Sequence, residues 1–229
     1  MTRDGGTTMT NAAAKAADGK PDLGPLPVWN LADLYPGADS LELKRDLDAA
    51  ANETKTFAER YRGKLAALES AAFGRAIAAF EVVDEKLSRI MSYAQLLYSA
   101  NVGDPAVGRF YQTTQERATE ISSELLFFTL EINQLAESDV ARLTTAPEAA
   151  RYRPWLRNVR LFRPHQLSED LERLLHEKQV AGRSAWNRLF DETMAGLRFT
   201  VDGKELPIEP TLNFLQDTDE KKRKAAAEA

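Results

Sequence analysis

Apolar positions recur with the period of an α-helix through most of the chain. Between Ser40 and Gly63 they step by four and three residues, as on one face of an amphipathic helix. Ser40 is a suitable N-cap for this helix, and Gly63 is a suitable stop. The same spacing continues from Ser70 to Leu97. There the pattern does not distinguish one helix from two helices with a break near Asp84.

A boundary follows at Asp104-Pro105. Asp104 can cap the next helix, and Pro105 occupies its first position, where the missing N–H group has no cost. The four-three pattern then runs from Val107 to Leu135, which predicts one helix of about 30 residues and about 45 Å. Spacing this regular favours packing against antiparallel neighbours, as in a bundle or a long hairpin.

Shorter elements are predicted beyond residue 147. The first expected helix runs from Tyr152 to Val159 and ends before Pro164. The second runs from Glu169 to Lys178 and is capped by Ser168. The third follows Gly182 and runs from Ser184 to Met194. Two further short helices are expected at the end of the chain. They are Thr211 to Leu215 and a last helix capped by Asp217 or Thr218.

The period changes to that of a β-strand only once. Apolar and polar side chains alternate from Leu197 to Val201, and Asp202-Gly203 is a hairpin turn signal. Glu205 to Ile208 is then the returning strand of the hairpin. The predicted fold class is therefore all-α: an elongated helical bundle or hairpin of long antiparallel helices, with one small β-hairpin near residues 197–208.

Composition narrows the functional classes. The chain has 229 residues, 43% of them hydrophobic, a net charge of −5 and no cysteine. The acidic balance disfavours nucleic acid as a partner, and the lack of cysteine excludes disulfides and thiolate metal sites. No apolar run approaches the roughly 20 residues of a membrane span, and no secretory signal is evident. We therefore expect a cytoplasmic protein without a membrane partner.

The two ends of the chain differ in character from its middle. Residues 1–27 are rich in Gly, Thr, Ala and Pro and lack aromatic side chains, so a disordered tail is predicted there. The last predicted helix runs into Ala229 with neither glycine nor cap, which favours a front piece of a longer polypeptide. Apolar residues between 185 and 229 are then expected to form an exposed patch that another domain covers.

His176-Glu177 is an incomplete zinc-protease motif. Two histidines at the ends of H-E-x-x-H lie on one helix face and bind one zinc ion, but Val180 occupies the fifth position here. The other histidine, His165, lies eleven residues upstream. Two histidines make no three-ligand zinc site unless the fold adds a carboxylate. We interpret His176-Glu177 as a polar pair on a helix surface.

Several aromatic residues allow two interpretations. Trp186 and Phe190 are four residues apart and share a helix face. With Phe199 they are expected to pack a helix against the hairpin, although an aromatic wall for a substrate is the alternative. Tyr93 and Tyr98 are expected in the bundle core or along a channel, and the sequence does not decide between these.

The remaining polar candidates are expected to have structural or solvent-exposed roles. His165 is expected to hydrogen-bond the turn before a helix, with a position in a substrate channel as the alternative. Asp191-Glu192 and the basic run Lys221 to Lys224 are interpreted as solvated helix faces. No residue is assigned a catalytic, cofactor-binding or metal-binding role.

Six motifs in order resemble the N-terminal region of the oligoendopeptidase F family, which consists of zinc metallo-oligopeptidases related to thimet oligopeptidase. The motifs are Trp29 to Tyr35, Tyr93 to Tyr98, Leu126 to Glu131, Phe162 to Glu169, Ala185 to Glu192, and Leu197 to Phe199 with Asp202-Gly203. The resemblance covers residues 28–229. It implies that this segment is a helical N-terminal lobe, truncated before a catalytic zinc domain.

The resemblance also implies a function for the whole enzyme. Such enzymes are helix-rich cytoplasmic peptidases that cut oligopeptides inside a closed channel. Their zinc helix, H-E-x-x-H with a further glutamate, lies downstream of the region matched here. Zinc is thus implied for the longer parent only, with an oligopeptide as its substrate and the missing catalytic domain as the partner of this lobe. The alternative is a free-standing helical binding or adaptor protein derived from the lobe.

Overall fold

The structure is a computed structural model that describes residue 25 and residues 27–229. The predicted disordered tail therefore lies, apart from Pro25 and Pro27, outside the described residues. Of the described residues, those up to Asn30 belong to one unit, and Leu31–Ala229 forms a second unit. The fold described below is that of the second unit.

Seven α-helices make up the first part of this unit, after a short 3-10 turn at Leu31–Asp33. They are α1 (Leu41–Tyr61), α2 (Ser70–Ala100), α3 (Pro105–Ser123), α4 (Leu126–Gln134), α5 (Glu137–Leu143), α6 (Pro147–Ala150) and α7 (Arg153–Arg160), with a 3-10 turn at Leu65–Ala67 between α1 and α2.

The predicted caps of α1 and α3 are confirmed. Ser40 Oγ accepts a hydrogen bond from the Leu43 amide at 3.3 Å. The Asp104 carboxylate accepts one from the Ala106 amide at 2.8 Å, with proline at the first position of α3. These side chains satisfy amide groups that have no partner within the helix.

The long periodic stretches behave differently from each other. The stretch from Ser70 onward forms a single helix, α2, of 31 residues, without a break at Asp84. The prediction of one helix from Val107 to Leu135 is wrong, because α3 and α4 are separate. Residues 124–125 form a tight turn between them, in which the Leu125 amide donates to the Ser122 carbonyl oxygen at 2.9 Å. Apolar spacing continues across this turn, so the periodicity alone hides it.

An aromatic cluster forms the centre of the core between α1, α2, α4 and α7. The Phe57 and Phe128 rings meet edge to face with centroids 5.1 Å apart. Phe80 stacks on Phe128 at 5.0 Å, and Trp155 stacks on Phe128 at 6.5 Å and lies tilted against Phe80 at 6.0 Å. Aromatic pairs in such geometries stabilise a core beyond the area they bury.

A second, smaller cluster joins α1 to α2. Tyr35 and Tyr93 pack edge to face at 5.5 Å, which places Tyr93 in the core. The Tyr35 hydroxyl donates to the buried Asp46 carboxylate at 3.0 Å, and Arg89 pairs with the same carboxylate. The carboxylate is thus fully engaged although it is withdrawn from water.

Gly74 fixes the approach of α6 to α2. A Cβ atom at this position would lie 2.6 Å from the Glu148 carbonyl oxygen and 2.6 Å from the Ala149 nitrogen. The two backbones can therefore come this close only because Gly74 has no side chain.

The second part of the unit holds shorter elements. They are a 3-10 turn (Arg163–His165), α8 (Glu169–Gln179), a wide helical turn (Val180–Ser184), α9 (Ala185–Gly196), β1 (Phe199–Val201), β2 (Lys204–Leu206), α10 (Ile208–Phe214) and α11 (Glu220–Glu228). The strands pair antiparallel, with Phe199 opposite Leu206. Asp202 and Gly203 have φ of 51° and 75°, as the predicted two-residue hairpin turn requires.

Two predicted caps need correction. Ser168 precedes α8, but among the described residues its side chain makes no capping bond; the Glu172 carboxylate instead accepts the Leu167 amide at 2.8 Å. The last helix is capped by Asp219 and not by Asp217 or Thr218. The Asp219 carboxylate accepts a hydrogen bond from the Lys221 amide at 2.9 Å. The Asp217 carboxylate accepts one from the Asp219 amide.

The predicted class, all-α with one small β-hairpin, is confirmed. Within the part of the chain that the structure describes, no helix is both long and apolar enough to cross a membrane.

Candidate functional site

Helix α8 presents its apolar side to solvent. Leu167, Leu171, Leu174 and Leu175 repeat at helical spacing on or just before this helix, and each is about half exposed. An amphipathic helix on a globular domain normally turns this side to the core. The apolar side of α8 therefore faces outward, and its polar side faces the rest of the fold; we call such a helix inverted.

The side of α8 that faces the fold is polar. Arg173 donates to the Glu124 carboxylate at 2.8 Å, and Arg62 at the end of α1 bonds both Glu124, at 3.2 Å, and Glu169. The hydrogen bond from Arg173 holds the pKa of Glu124 below its ordinary value. Charged groups thus attach α8 to the end of α1 and to the turn between α3 and α4.

His176 contributes a further polar contact on the same side. Its Nε2 shares a hydrogen bond with Ser122 Oγ at 2.8 Å, and burial lowers the pKa of the imidazole. The prediction of a surface polar pair is therefore wrong for His176, which is half-buried, whereas Glu177 is exposed. Helix periodicity could not reveal this, because the polar side of the helix is the attached side.

Helix α9 is inverted in the same way. Trp186 and Phe190 are 70% and 63% exposed, and Leu189 lies beside them at helical spacing. The prediction that Trp186 and Phe190 pack in the core is wrong, while Phe199 is half-buried on the hairpin. We call the exposed apolar side chains of α8 and α9 the apolar faces. Their members are Leu167, Leu171, Leu174, Leu175, Trp186, Leu189 and Phe190.

Exposed apolar residues continue beyond α9. Leu212 and Leu215, on and just after α10, are 53% and 41% exposed. The prediction of an exposed apolar patch between residues 185 and 229 is thus confirmed. A face of this kind is typical of a surface that another molecule or domain covers.

A wide helical turn joins the two inverted helices. At Gly182 the backbone leaves the helical region, with φ of −100° and ψ of −110°. Ser184 at the end of the turn accepts a hydrogen bond from Gln115 of α3 at 3.2 Å. The turn therefore changes the direction of the helix while it remains anchored to α3.

A cavity of about 400 Å³ lies between α9 and the neighbouring ends of α2 and α3. The Tyr98 and Tyr111 rings stack there with centroids 4.9 Å apart. Burial and the nearby carboxylates of Glu192 and Asp191 raise the pKa of Tyr98. Burial and Asp191 raise the pKa of Tyr111. Asp191 and Glu192 are exposed as predicted, and Tyr98 is both buried and part of a cavity wall.

A second cavity, of about 550 Å³, lies where α4, α7 and the turn before α8 meet. His165 is part of its wall. The His165 backbone amide donates to the Phe162 carbonyl oxygen at 2.9 Å and closes the 3-10 turn. This backbone bond does not depend on the imidazole, so the structural role expected of His165 stays a prediction.

The described residues do not assemble a zinc site. Among them, no group of three or more histidine, aspartate or glutamate side chains is arranged to hold a metal ion. His176 is engaged with Ser122, and His165 belongs to a different element and a different cavity. The donors present do not fit zinc, and no step of a zinc reaction can be derived from these side chains.

The segment that contains the apolar faces matches the sequence model of a known protein family. The sequence model of the family described as Oligopeptidase F matches residues 131–199, a segment that runs from α4 to β1. It includes α8, α9 and both histidines. No curated protein matches the sequence.

Two solved structures share the fold. The crystal structure of oligoendopeptidase-F from Enterococcus faecium matches 81% of this chain with a TM-score of 0.69 and 22% identity. That of a putative peptidase from Chlamydophila abortus matches 88%, with a TM-score of 0.51 and 20% identity. This chain spans 38% of the first structure and 34% of the second. The predicted resemblance to the N-terminal region of the oligoendopeptidase F family is therefore confirmed.

Proposed function

We propose that this chain is the non-catalytic N-terminal lobe of a zinc metalloendopeptidase that hydrolyses short peptides, and that the lobe shapes the substrate channel. The observation that carries the proposal is the outward orientation of the apolar faces within the segment that matches the family, residues 131–199. Apolar helix faces held outward by polar contacts favour a role as a surface against a second domain.

The arrangement of charged groups supports this assignment. The contacts of Arg173 with Glu124 and of Arg62 with Glu169 hold α8 so that its leucines point away from the fold. A helix attached only by apolar contacts would bury the same leucines. The polar attachment therefore favours a lobe that presents a preformed apolar surface to a catalytic domain.

Zinc belongs to the catalytic domain in this proposal. When bound there, zinc lowers the pKa of its water and polarises the peptide carbonyl. The lobe contributes by limiting access, so that only short, unfolded peptides reach the metal. We further propose that the parent acts in the cytoplasm on oligopeptides, without a nucleic-acid or membrane partner.

A peptidase assay tests the first part of the proposal. The purified 229-residue chain is incubated with a fluorogenic oligopeptide, with added zinc or with a chelator. No chelator-sensitive hydrolysis is expected. Hydrolysis that zinc supports and a chelator abolishes would contradict the assignment as a non-catalytic lobe.

The coding frame separates the lobe from a free-standing adaptor. The transcript that encodes this chain is sequenced past the codon for Ala229. An open frame that goes on to encode H-E-x-x-H supports the proposal. A stop codon directly after Ala229 overturns it in favour of the adaptor protein.

The role of the apolar faces is tested in the complete polypeptide that such a frame encodes. Leu174→Glu and Trp186→Glu are expected to reduce peptide hydrolysis, because each introduces a charge into the covered surface. Leu41→Glu is the matched control, since Leu41 is an exposed leucine of α1 outside the faces. Equal activity of all three variants would contradict the proposed surface.

A further inference from the structure

The inward side of α9 is polar, but it is not bonded to the fold in the way that the inward side of α8 is. Asn187, Arg188 and Asp191 are part of the wall of the cavity of about 400 Å³ between α9, α2 and α3. Within the described part of the chain, none of these three side chains makes a hydrogen bond. Helix α8 instead uses its inward side for the contacts of Arg173 and His176. The polar groups under α9 are therefore available to a ligand.

Arg188 is the least satisfied of these groups. Its side chain is only 25% exposed, and its one ion pair among the described residues is with Glu192, whose Oε1 lies 3.6 Å from Arg188 Nε. That contact is longer than a hydrogen bond, and it does not involve the two terminal nitrogen atoms. A charged group withdrawn from water costs free energy unless it is bonded. Because Arg188 lines the cavity, a ligand there can reach these donors.

Asp191 adds the opposite charge to the same wall. It follows Arg188 by three residues, so the two side chains leave one helix face with their Cβ atoms about 5–6 Å apart. Among the described residues they form no ion pair with each other. Besides burial, the charges of Asp191 and Arg188 both act on the pKa of Tyr98 and on that of Tyr111, which places the charged ends near these tyrosines in the wall. The cavity thus presents a cation and an anion that do not neutralise each other.

The rest of the wall suits a small molecule with an apolar part. Gln95 and Ser99 of α2 supply further hydrogen-bonding groups, whereas Val102 and Met194 supply apolar surface. Cavities of roughly 300–1,000 Å³ that combine apolar surface with a few polar groups are typical of small-molecule sites. The space therefore favours a ligand of the size of an amino acid over a folded partner.

We propose that this cavity binds a free α-amino acid with an apolar side chain, in its zwitterionic form. Arg188 donates to the α-carboxylate, and Asp191 accepts from the α-ammonium group. An arginine fork matches a carboxylate with two parallel hydrogen bonds. Both charges of an α-amino acid are carried on one carbon atom, as the neighbouring positions of Arg188 and Asp191 require, whereas the two ends of a peptide lie farther apart. The inference needs only the cavity and its wall, and it stands whether or not the chain is a peptidase lobe.

The test is an NMR titration of the uniformly ¹⁵N-labelled 229-residue chain with L-leucine. The side-chain amide signals of Gln95 on α2 and Asn187 on α9 are expected to shift in a saturable way. Isocaproate lacks the ammonium group of leucine, and isoamylamine lacks its carboxylate, while both keep its side chain. Each is expected to bind about tenfold more weakly than leucine, because one charged hydrogen bond is lost. Equal responses to the three compounds, or no response to leucine, would overturn the proposal.

A dipeptide distinguishes an amino acid from a peptide as the ligand. Leucyl-leucine carries the same two charges at the ends of a longer molecule, so it cannot place both as leucine does. It is expected to bind about tenfold more weakly than leucine. Binding of the dipeptide as tight as that of leucine would overturn the assignment to a free amino acid.

Variants assign the two charges to their partners. In Arg188→Met the carboxylate loses its partner, and leucine is expected to bind no better than isoamylamine. In Asp191→Asn the ammonium group loses its partner, and leucine is expected to bind no better than isocaproate. Arg75→Met, at an exposed arginine near the other end of α2, is the unaffected control. If Arg188→Met fails to fold, Asp191→Asn and the ligand series in the parent chain still decide. Unchanged leucine affinity in either folded variant would contradict the proposed site.

This outcome is independent of the proposed function. Loss of leucine binding in Asp191→Asn leaves the peptidase assay and the coding frame unaffected. A stop codon after Ala229 would in turn leave the titration unaffected, so failure of one proposal is distinguishable from failure of the other.

Discussion

Helices α1 to α7 and the elements from α8 onward use the same amphipathic patterns in opposite ways. In the first part the apolar sides meet one another, and Phe57, Phe127 and Phe128 are almost fully buried. Beyond residue 160 only Val201, Thr211 and Ala226 are buried among the described residues. A helical period therefore defines an apolar side but does not decide whether that side faces inward.

The two parts of the fold differ in what they contribute to stability. The first part contains a packed core of its own, whereas α8 and α9 are attached by charged and polar contacts and leave their leucines uncovered. Substitutions in the first part should therefore change global stability. Substitutions on the apolar faces should affect association with another molecule while the fold itself is preserved.

The largest expected effect contrasts two phenylalanines. Phe128→Ala empties part of the aromatic cluster and is expected to lower the free energy of unfolding by about 3–5 kcal/mol. Phe190→Ala, on the exposed side of α9, is expected to stay within about 0.5 kcal/mol of the parent. Urea unfolding followed by circular dichroism measures both. A comparable loss in the two variants would contradict the view that only the first phenylalanine belongs to a packed core.

Two helical glycines provide the next test. Gly74→Ala forces a Cβ atom against the α6 backbone and is expected to cost about 1–3 kcal/mol, since backbone cannot move aside as a flexible side chain can. Gly108→Ala on α3 is the control, because its nearest neighbour would be a Glu192 side-chain oxygen at 3.7 Å. That variant should be neutral or slightly more stable, by up to about 1 kcal/mol. Thermal melts report both effects, and a stable Gly74→Ala would refute the close approach.

Asp46 makes the stability of helices α1 to α7 depend on pH. Burial by itself would raise the pKa of Asp46, but the hydrogen bonds from Tyr35 and Arg89 outweigh it and leave the pKa below the ordinary value of 3.8. The stabilisation is thus complete above this ordinary pKa and is lost as pH falls toward the lower folded pKa. Asp46→Asn is expected to cost about 1–3 kcal/mol near neutral pH. Urea unfolding across this pH range should show a smaller acid loss in the variant than in the parent.

His176 gives the smallest and most local effect. Burial lowers the pKa of its imidazole, so the folded state favours the neutral form. Stabilisation of α8 is therefore complete above the ordinary histidine pKa of 6.5 and declines as pH falls through the lower folded value. Amide hydrogen exchange in α8, corrected for the intrinsic pH dependence, should become faster over this range. His176→Gln should remove the change, and a pH response that persists in this variant would exclude His176 as its source.

Sequence reasoning predicted most of the elements because local signals control them. The Ser40 and Asp104 caps and the Asp202-Gly203 turn act within a few residues. The apolar spacing of α2, by contrast, left open whether it forms one helix or two. The turn between α3 and α4 was missed since the same apolar spacing runs through it. Ser168 was a reasonable cap by residue type, yet the nearby Glu172 carboxylate supports the start of α8.

The site could be predicted only in part. Three of the six motifs that carry the family resemblance lie between residues 162 and 203, and the exposed patch near the end of the chain was expected. The orientation of Trp186 and Phe190 could not be predicted, because α9 is held by contacts between distant parts of the chain, such as that of Gln115 with Ser184, 69 residues apart. The cavity beside His165 was missed as well, since its wall comes from three separated segments and has no sequence motif.

The ionic attachment of α8 makes its docking sensitive to dissolved salt. Ion pairs such as that of Arg173 with Glu124 are partly exposed, and mobile ions screen partly exposed charges over about 10 Å at 0.1 M salt. Contacts in the aromatic core are uncharged and are not screened by dissolved ions. Ionic strength should therefore tune how firmly this one helix is attached while the rest of the fold stays unchanged.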